Sequence, residues 1–131
     1  MANKNRPLSP HLQVYKWELH MLASILHRAT GVALGVGTIL LTWWLIAVSS
    51  GPASYAMVND VMSSTFGRLV LFGFSYALIY HLLNGLRHLR WDTGKGLSKE
   101  SAASSGRLMM ILSVLITLGI WYLGYAKAGL I

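Results

Sequence analysis

The chain has 131 residues, 54% of them hydrophobic and only 11% charged, where a soluble domain carries about 25% charged residues. The formal net charge is +7, yet the bases flank apolar runs and form no stripe, which argues against nucleic acid and for contact with anionic membrane lipid. There is no cysteine, which excludes disulfides, thiolate-held iron–sulfur clusters and thioether-linked cofactors. The composition predicts a small all-α membrane protein.

Residues 1–20 read as a polar N-terminal arm with an interfacial segment, and residues 21–131 as a membrane domain. Pro7 and Pro10 stand close together in Arg6-Pro7-Leu8-Ser9-Pro10-His11-Leu12, and each removes a donor and restricts its predecessor, so this stretch is extended. Val14-Tyr15-Lys16-Trp17 mixes aromatics with a base, as interfacial segments do.

Three apolar runs follow, predicting spans at roughly 22–49, 62–90 and 106–127. No Asp, Glu, Lys or Arg occurs between Arg28 and Asp60. Thr30–Val48 alone offers 19 mostly apolar residues, about 28 Å of helix. Gly31 and Gly35 form G-x-x-x-G, and Ala29, Ala33 and Gly37 a second small stripe, which let a helix or a flat cofactor come close. Ser49-Ser50-Gly51-Pro52 breaks the first helix, and a short, nearly uncharged connection leads to the second. Thr93–Gly106 reads as a polar loop before the third span.

Lys4, Arg6, Lys16 and Arg28 precede span one, and Arg87, Arg90, Lys95, Lys99 and Arg107 lie between spans two and three. The opposite side has Arg68 and Lys127. The positive-inside rule therefore predicts a cytoplasmic N-terminus. The polar, basic start and the length of the first apolar run predict no cleaved signal peptide.

His81 is the residue around which the chemistry gathers. It lies in Leu69–Leu86, a run whose only other ionisable side chains are Tyr76 and Tyr80. An imidazole at membrane depth is costly without a partner, and an intramembrane ionisable residue is a functional-site hypothesis by default. Neutral imidazole ligates iron well, so His81 reads as an axial ligand of a b-type haem; the alternative is a histidine hydrogen-bonded to a neighbouring helix. His81, Gly85 and His88 share a face at i, i+4, i+7, and Gly85 leaves room for a porphyrin. His88, at the membrane edge, reads as a contact to water or a propionate. Arg87, Arg90 and Asp92 read as solvated charges at the helix end.

The second cluster is Ser24-Ile25-Leu26-His27-Arg28-Ala29-Thr30-Gly31. Ser24, Arg28 and Gly31 share a face, with His27 beside them. A hydroxyl, an imidazole and a guanidinium at the mouth of a membrane helix suit a quinone carbonyl or haem propionates; for Arg28 alone, a positive-inside anchor is the competing reading. No Gly-x-Ser-x-Gly, His-Glu-x-x-His or phosphate loop is present, and no catalytic residue is assigned.

These motifs, Arg6–Leu12, Ser24–Gly31 and His81-x-x-x-Gly85-x-Arg87-His88-x-x-x-Asp92, resemble the cytochrome b subunit of succinate dehydrogenase, respiratory complex II, in order and over nearly the whole chain. The resemblance implies a three-helix membrane anchor that pairs with a second hydrophobic anchor subunit and shares one haem b with it. It implies His81 as one axial ligand, with the other from that partner. It places His27, Arg28 and His88 in the haem propionate environment, and Ser24 and Arg28 at the site that reduces ubiquinone. It implies an iron–sulfur subunit and a flavoprotein subunit docked on the basic face, and a chain not active alone. A bacterial inner membrane is expected over the mitochondrial one. The alternatives are the anchor of a quinol:fumarate reductase and a structural subunit without haem. A transporter is disfavoured, since neither repeats nor interrupted helices are evident.

Overall fold

A computed structural model describes residues 15–131; the extended arm expected at residues 6–12 falls outside them. The described chain folds as α1 (Leu19–Ser50), α2 (Pro52–Ser63), α3 (Thr65–Asp92) and α4 (Lys99–Lys127). Three of these, α1, α3 and α4, are long and apolar enough to cross a membrane. Their 32, 28 and 29 residues give helices of about 42–48 Å, longer than the ~30 Å hydrocarbon core, so their ends reach past it.

Two stretches differ from the sequence reading. The link after Gly51 is itself a helix, α2, opened by Pro52, whose missing N–H costs nothing at a first helical turn. Ser64 then ends α2 and starts α3, its Oγ accepting from the Gly67 N–H at 3.1 Å. Gly67 is required there, since a Cβ would overlap the Val61 carbonyl and the Met62 backbone. The polar stretch read as a loop to Gly106 is helical from Lys99, because the Ser98 hydroxyl accepts from the Ser101 N–H at 3.2 Å.

The bundle is apolar outside and small or polar inside. Val32, Ile39, Phe66 and Leu69 face outward, each about two-thirds or more exposed. The buried positions are Ala23, Ala47, Val58, Ala77, Tyr80, Thr30, Asn84, Arg87, Ser113 and Thr117, with glycines such as Gly37 and Gly106. Lipid tails give no hydrophobic drive between helices, so close approach and hydrogen bonds hold the bundle. Gly37 receives the Phe74 ring, which a Cβ there would overlap, whereas Gly35 meets nothing within 4 Å. Both small stripes on α1 therefore touch α3, one through Gly37 and the other through Gly31, which faces His81.

The antiparallel course of α3 brings its end beside the starts of α1 and α4. There the Tyr80 hydroxyl donates to the Ala23 carbonyl at 3.0 Å, and Lys99 Nζ meets Glu18 Oε1 at 3.2 Å. Arg87 is not the solvated charge the sequence suggested: it is 6% exposed. Its Nε donates to Ser105 Oγ at 2.9 Å, one terminal nitrogen to Asn84 Oδ1 at 3.0 Å and the other to the Ala102 carbonyl at 2.7 Å. It also lies over the Trp91 ring at 4.1 Å. Because α4 starts at Lys99, its first turns carry acceptors that face this guanidinium. Arg87→Ala leaves Asn84 Oδ1 unpaired and removes a donor from Ser105 Oγ and the Ala102 carbonyl, and we expect it to destabilise the bundle by about 2–3 kcal/mol. The exposed Arg90→Ala should change stability by less than about 0.5 kcal/mol. Thermal unfolding in detergent checks the pair.

Candidate functional site

The site lies where α1 passes α3, one to three turns into the basic end of the bundle. In an α-helix the carbonyl of residue i accepts from the N–H of residue i+4, and the side chains at i+3 and i+4 flank that oxygen. For the His27 carbonyl, those residues are Thr30 and Gly31. Gly31 has no side chain, so the His27 oxygen, which also accepts from the Thr30 hydroxyl at 3.0 Å, is uncovered toward α3 on the Gly31 side. The His81 ring fills that opening: a Cβ on Gly31 would sit 3.1 Å from His81 Cε1. His81 Nδ1 lies 3.2 Å from the His27 carbonyl and 3.3 Å from Thr30 Oγ1.

A hydrogen bond from His81 to this carbonyl, which only accepts, needs the proton on Nδ1 and leaves a bare lone pair on Nε2. The two imidazoles stack, His27 on His81, with centroids 4.0 Å apart and planes 8° apart. His88 continues the column, 5.1 Å from His27 and 4.9 Å from Trp91; its Nδ1 is 2.8 Å from the Asn84 carbonyl one turn back. His27 Nδ1 is buried and has no hydrogen-bond partner among the described residues.

The structure thus brings His27, His81 and His88 together. Ser24 and Arg28 are exposed on α1 and make no side-chain hydrogen bond with these histidines among the described residues. Their spacing from Gly31 sets them on the flank of α1 next to His81. A Cβ on Gly85 meets nothing within 4 Å, so the surface beyond His81 on α3 is open. Among the described residues no three of His, Cys, Asp and Glu converge as a metal-holding group. One bare imidazole nitrogen beside a side-chain-free surface instead suits a metal that brings a flat macrocycle and needs an axial ligand.

Sequence reasoning missed Thr30. The signal was there: a hydroxyl three residues after His27 and immediately before a glycine is placed to touch whatever reaches the His27 carbonyl. It read Gly31 as a place for a helix or a flat cofactor to come close, and the neighbour there is the His81 imidazole of α3. We expect Gly31→Ala to displace the His81 ring by a few tenths of an ångström, since 3.1 Å is closer than ordinary contact. Gly35→Ala, with open space around it, should not. The 15N resonances of the His81 imidazole in the two variants distinguish them.

Residues 2–120 match the family described as the succinate dehydrogenase/fumarate reductase transmembrane subunit. The chain is 47% identical over 112 residues to the succinate dehydrogenase cytochrome b556 subunit of Paracoccus denitrificans, covering 86% of each chain. It is 41% identical over 116 residues to the b556 subunit of Rickettsia prowazekii (strain Madrid E), covering 88% of this chain and 90% of that one. It is 40% identical over 120 residues to the mitochondrial succinate dehydrogenase cytochrome b560 subunit of Sus scrofa, covering 88% and 70%.

Proposed function

The chain belongs to the succinate dehydrogenase/fumarate reductase transmembrane-subunit family, and from that premise we propose how it serves as the cytochrome b membrane anchor of succinate:ubiquinone oxidoreductase. The three relatives named above are all succinate dehydrogenase subunits, which favours succinate oxidation over fumarate reduction.

The observation that carries the haem assignment is the His81 ring: its Nδ1 is committed to the His27 carbonyl, so Nε2 is free to ligate. His81 would hold haem b through Nε2, with a further ligand supplied by a second hydrophobic anchor subunit. When bound, the haem supplies a one-electron redox centre. His27, His88 and Arg28 would pair with the haem propionates. One haem is shared by the two anchors.

Ser24 and Arg28 bind ubiquinone. The Ser24 hydroxyl donates to a quinone carbonyl, and the Arg28 guanidinium stabilises the negative charge that grows on that oxygen as electrons arrive. Neither acts as a covalent catalyst. The iron–sulfur and flavoprotein subunits dock on the basic end of the bundle, which collects Arg28, Arg90, Lys95, Lys99 and Arg107. That end, with the N-terminus, is cytoplasmic by the positive-inside rule, in a bacterial inner membrane.

Dithionite-reduced minus oxidised spectra of the purified complex test the central residue. The wild type should show a b-type α-band, and His81→Ala should lose or alter it; an unchanged spectrum moves the ligand to His27, His88 or a partner chain. Arg28→Ala should lower succinate:quinone activity on the order of 100-fold, with succinate oxidation by a soluble dye retained. Equal loss of both activities would remove Arg28 from the quinone site.

A further inference from the structure

Thr30 is 7% exposed and closes a triangle with two polar atoms of the site. Its hydroxyl donates to the His27 carbonyl at 3.0 Å. With that proton committed, an Oγ1 lone pair remains for the third corner, His81 Nδ1 at 3.3 Å. The Nδ1–H is therefore shared between two acceptors, the His27 oxygen at 3.2 Å and Thr30 Oγ1. The Thr30 side chain is thereby tied to the carbonyl that receives His81, and it touches the ring edge opposite the ligating nitrogen.

We propose that Thr30 is a positioning residue that holds His81 in its Nδ1–H form and raises the basicity of Nε2. The inference rests on His81 being the haem ligand. Acceptors on the far nitrogen of a ligating imidazole fix its tautomer and ring orientation and push electron density toward the metal. A more basic axial nitrogen favours the oxidised iron, so Thr30 keeps the haem midpoint potential lower than His81 alone sets it.

Thr30→Val fixes the sign. A methyl group replaces Oγ1 at nearly the same volume. It cannot accept, and carbon needs about 3.5–4.0 Å from its neighbours, so the ring edge retreats and the bond to the His27 carbonyl lengthens as well. Both changes weaken the hold on Nδ1–H. Thr30→Ser keeps the hydroxyl and loses the methyl.

The experiment is potentiometric titration and haem quantification of the whole purified complex carrying wild type, Thr30→Val, Thr30→Ser or His81→Ala. In Thr30→Val the midpoint potential should move positive, and haem affinity should fall by about 10–100-fold, the usual loss for an outer partner of a metal ligand. Thr30→Ser should return the potential to the wild-type side. A packing role alone would leave the potential in place and be sensitive to the lost methyl in the serine variant. If Thr30→Val does not assemble, Thr30→Ala, which lacks both acceptor and methyl, is read with the same expected sign. An unchanged or lowered potential in the valine (or alanine) variant overturns the inference, as does a serine variant that behaves like valine. A wild-type spectrum in His81→Ala would instead remove the haem assignment on which it rests, so the two failures are separable.

Discussion

The site depends on one hydrogen bond, from His81 Nδ1 to the backbone carbonyl of His27. An imidazole at membrane depth has two ring nitrogens to satisfy and no water to help. A helical carbonyl is already bonded along its own helix, but it can accept further where the flanking side chains leave it uncovered. Gly31 uncovers it. The bond settles which nitrogen carries the proton, and so which is free. It also sets α1 and α3 at a separation where His27 can stack on His81.

α3 carries two polar stripes with different purposes. Tyr80, Asn84 and Arg87 are spaced i, i+4, i+7 and buried; they tie α3 to the Ala23 carbonyl of α1 and to the first turns of α4. His81, Gly85 and His88 are the next residues at the same spacing, rotated by about 100°, and they lie along the opening beside α1. The first stripe makes the bundle rigid enough to present the second. A buried guanidinium with its donors occupied is suited to this, since it fixes the register of α4 against α3 through Ser105 and Ala102. Its burial also leaves Arg90, Lys99 and Arg107 as the exposed bases of this end of α3 and of α4.

The outer surface follows from the same division. Large apolar side chains such as Val32, Ile39 and Phe66 point away from the bundle, and the interior is mostly alanine, glycine, serine and threonine around Val58, Tyr80, Asn84 and Arg87. Such a core leaves the helices close enough for backbone carbonyls to serve as partners. Both the Tyr80–Ala23 and the His81–His27 bonds use one. Added Cβ atoms at Gly35 and Gly85 meet nothing within 4 Å, so neither glycine is needed for packing within the chain.

The linear order of residues determined the three membrane helices, because long uncharged runs bounded by bases have no other stable course through a bilayer. It also singled out His81, since a histidine in such a run must have a partner wherever the helix packs. Periodicity placed His88 and Gly85 on its face. Only the tertiary structure decided what each polar residue meets. Arg87 and Arg90 look alike in sequence, and one is buried against α4 because that helix begins seven residues earlier than its apolar run. Gly31 and Gly35 form one motif, and only Gly31 faces a ring. Thr30 is silent as a helical threonine until α3 arrives beside it. Contacts between helices depend on rotation and register about their axes, set by pairs such as Gly37 with Phe74, and those pairs are separated in the chain by dozens of residues.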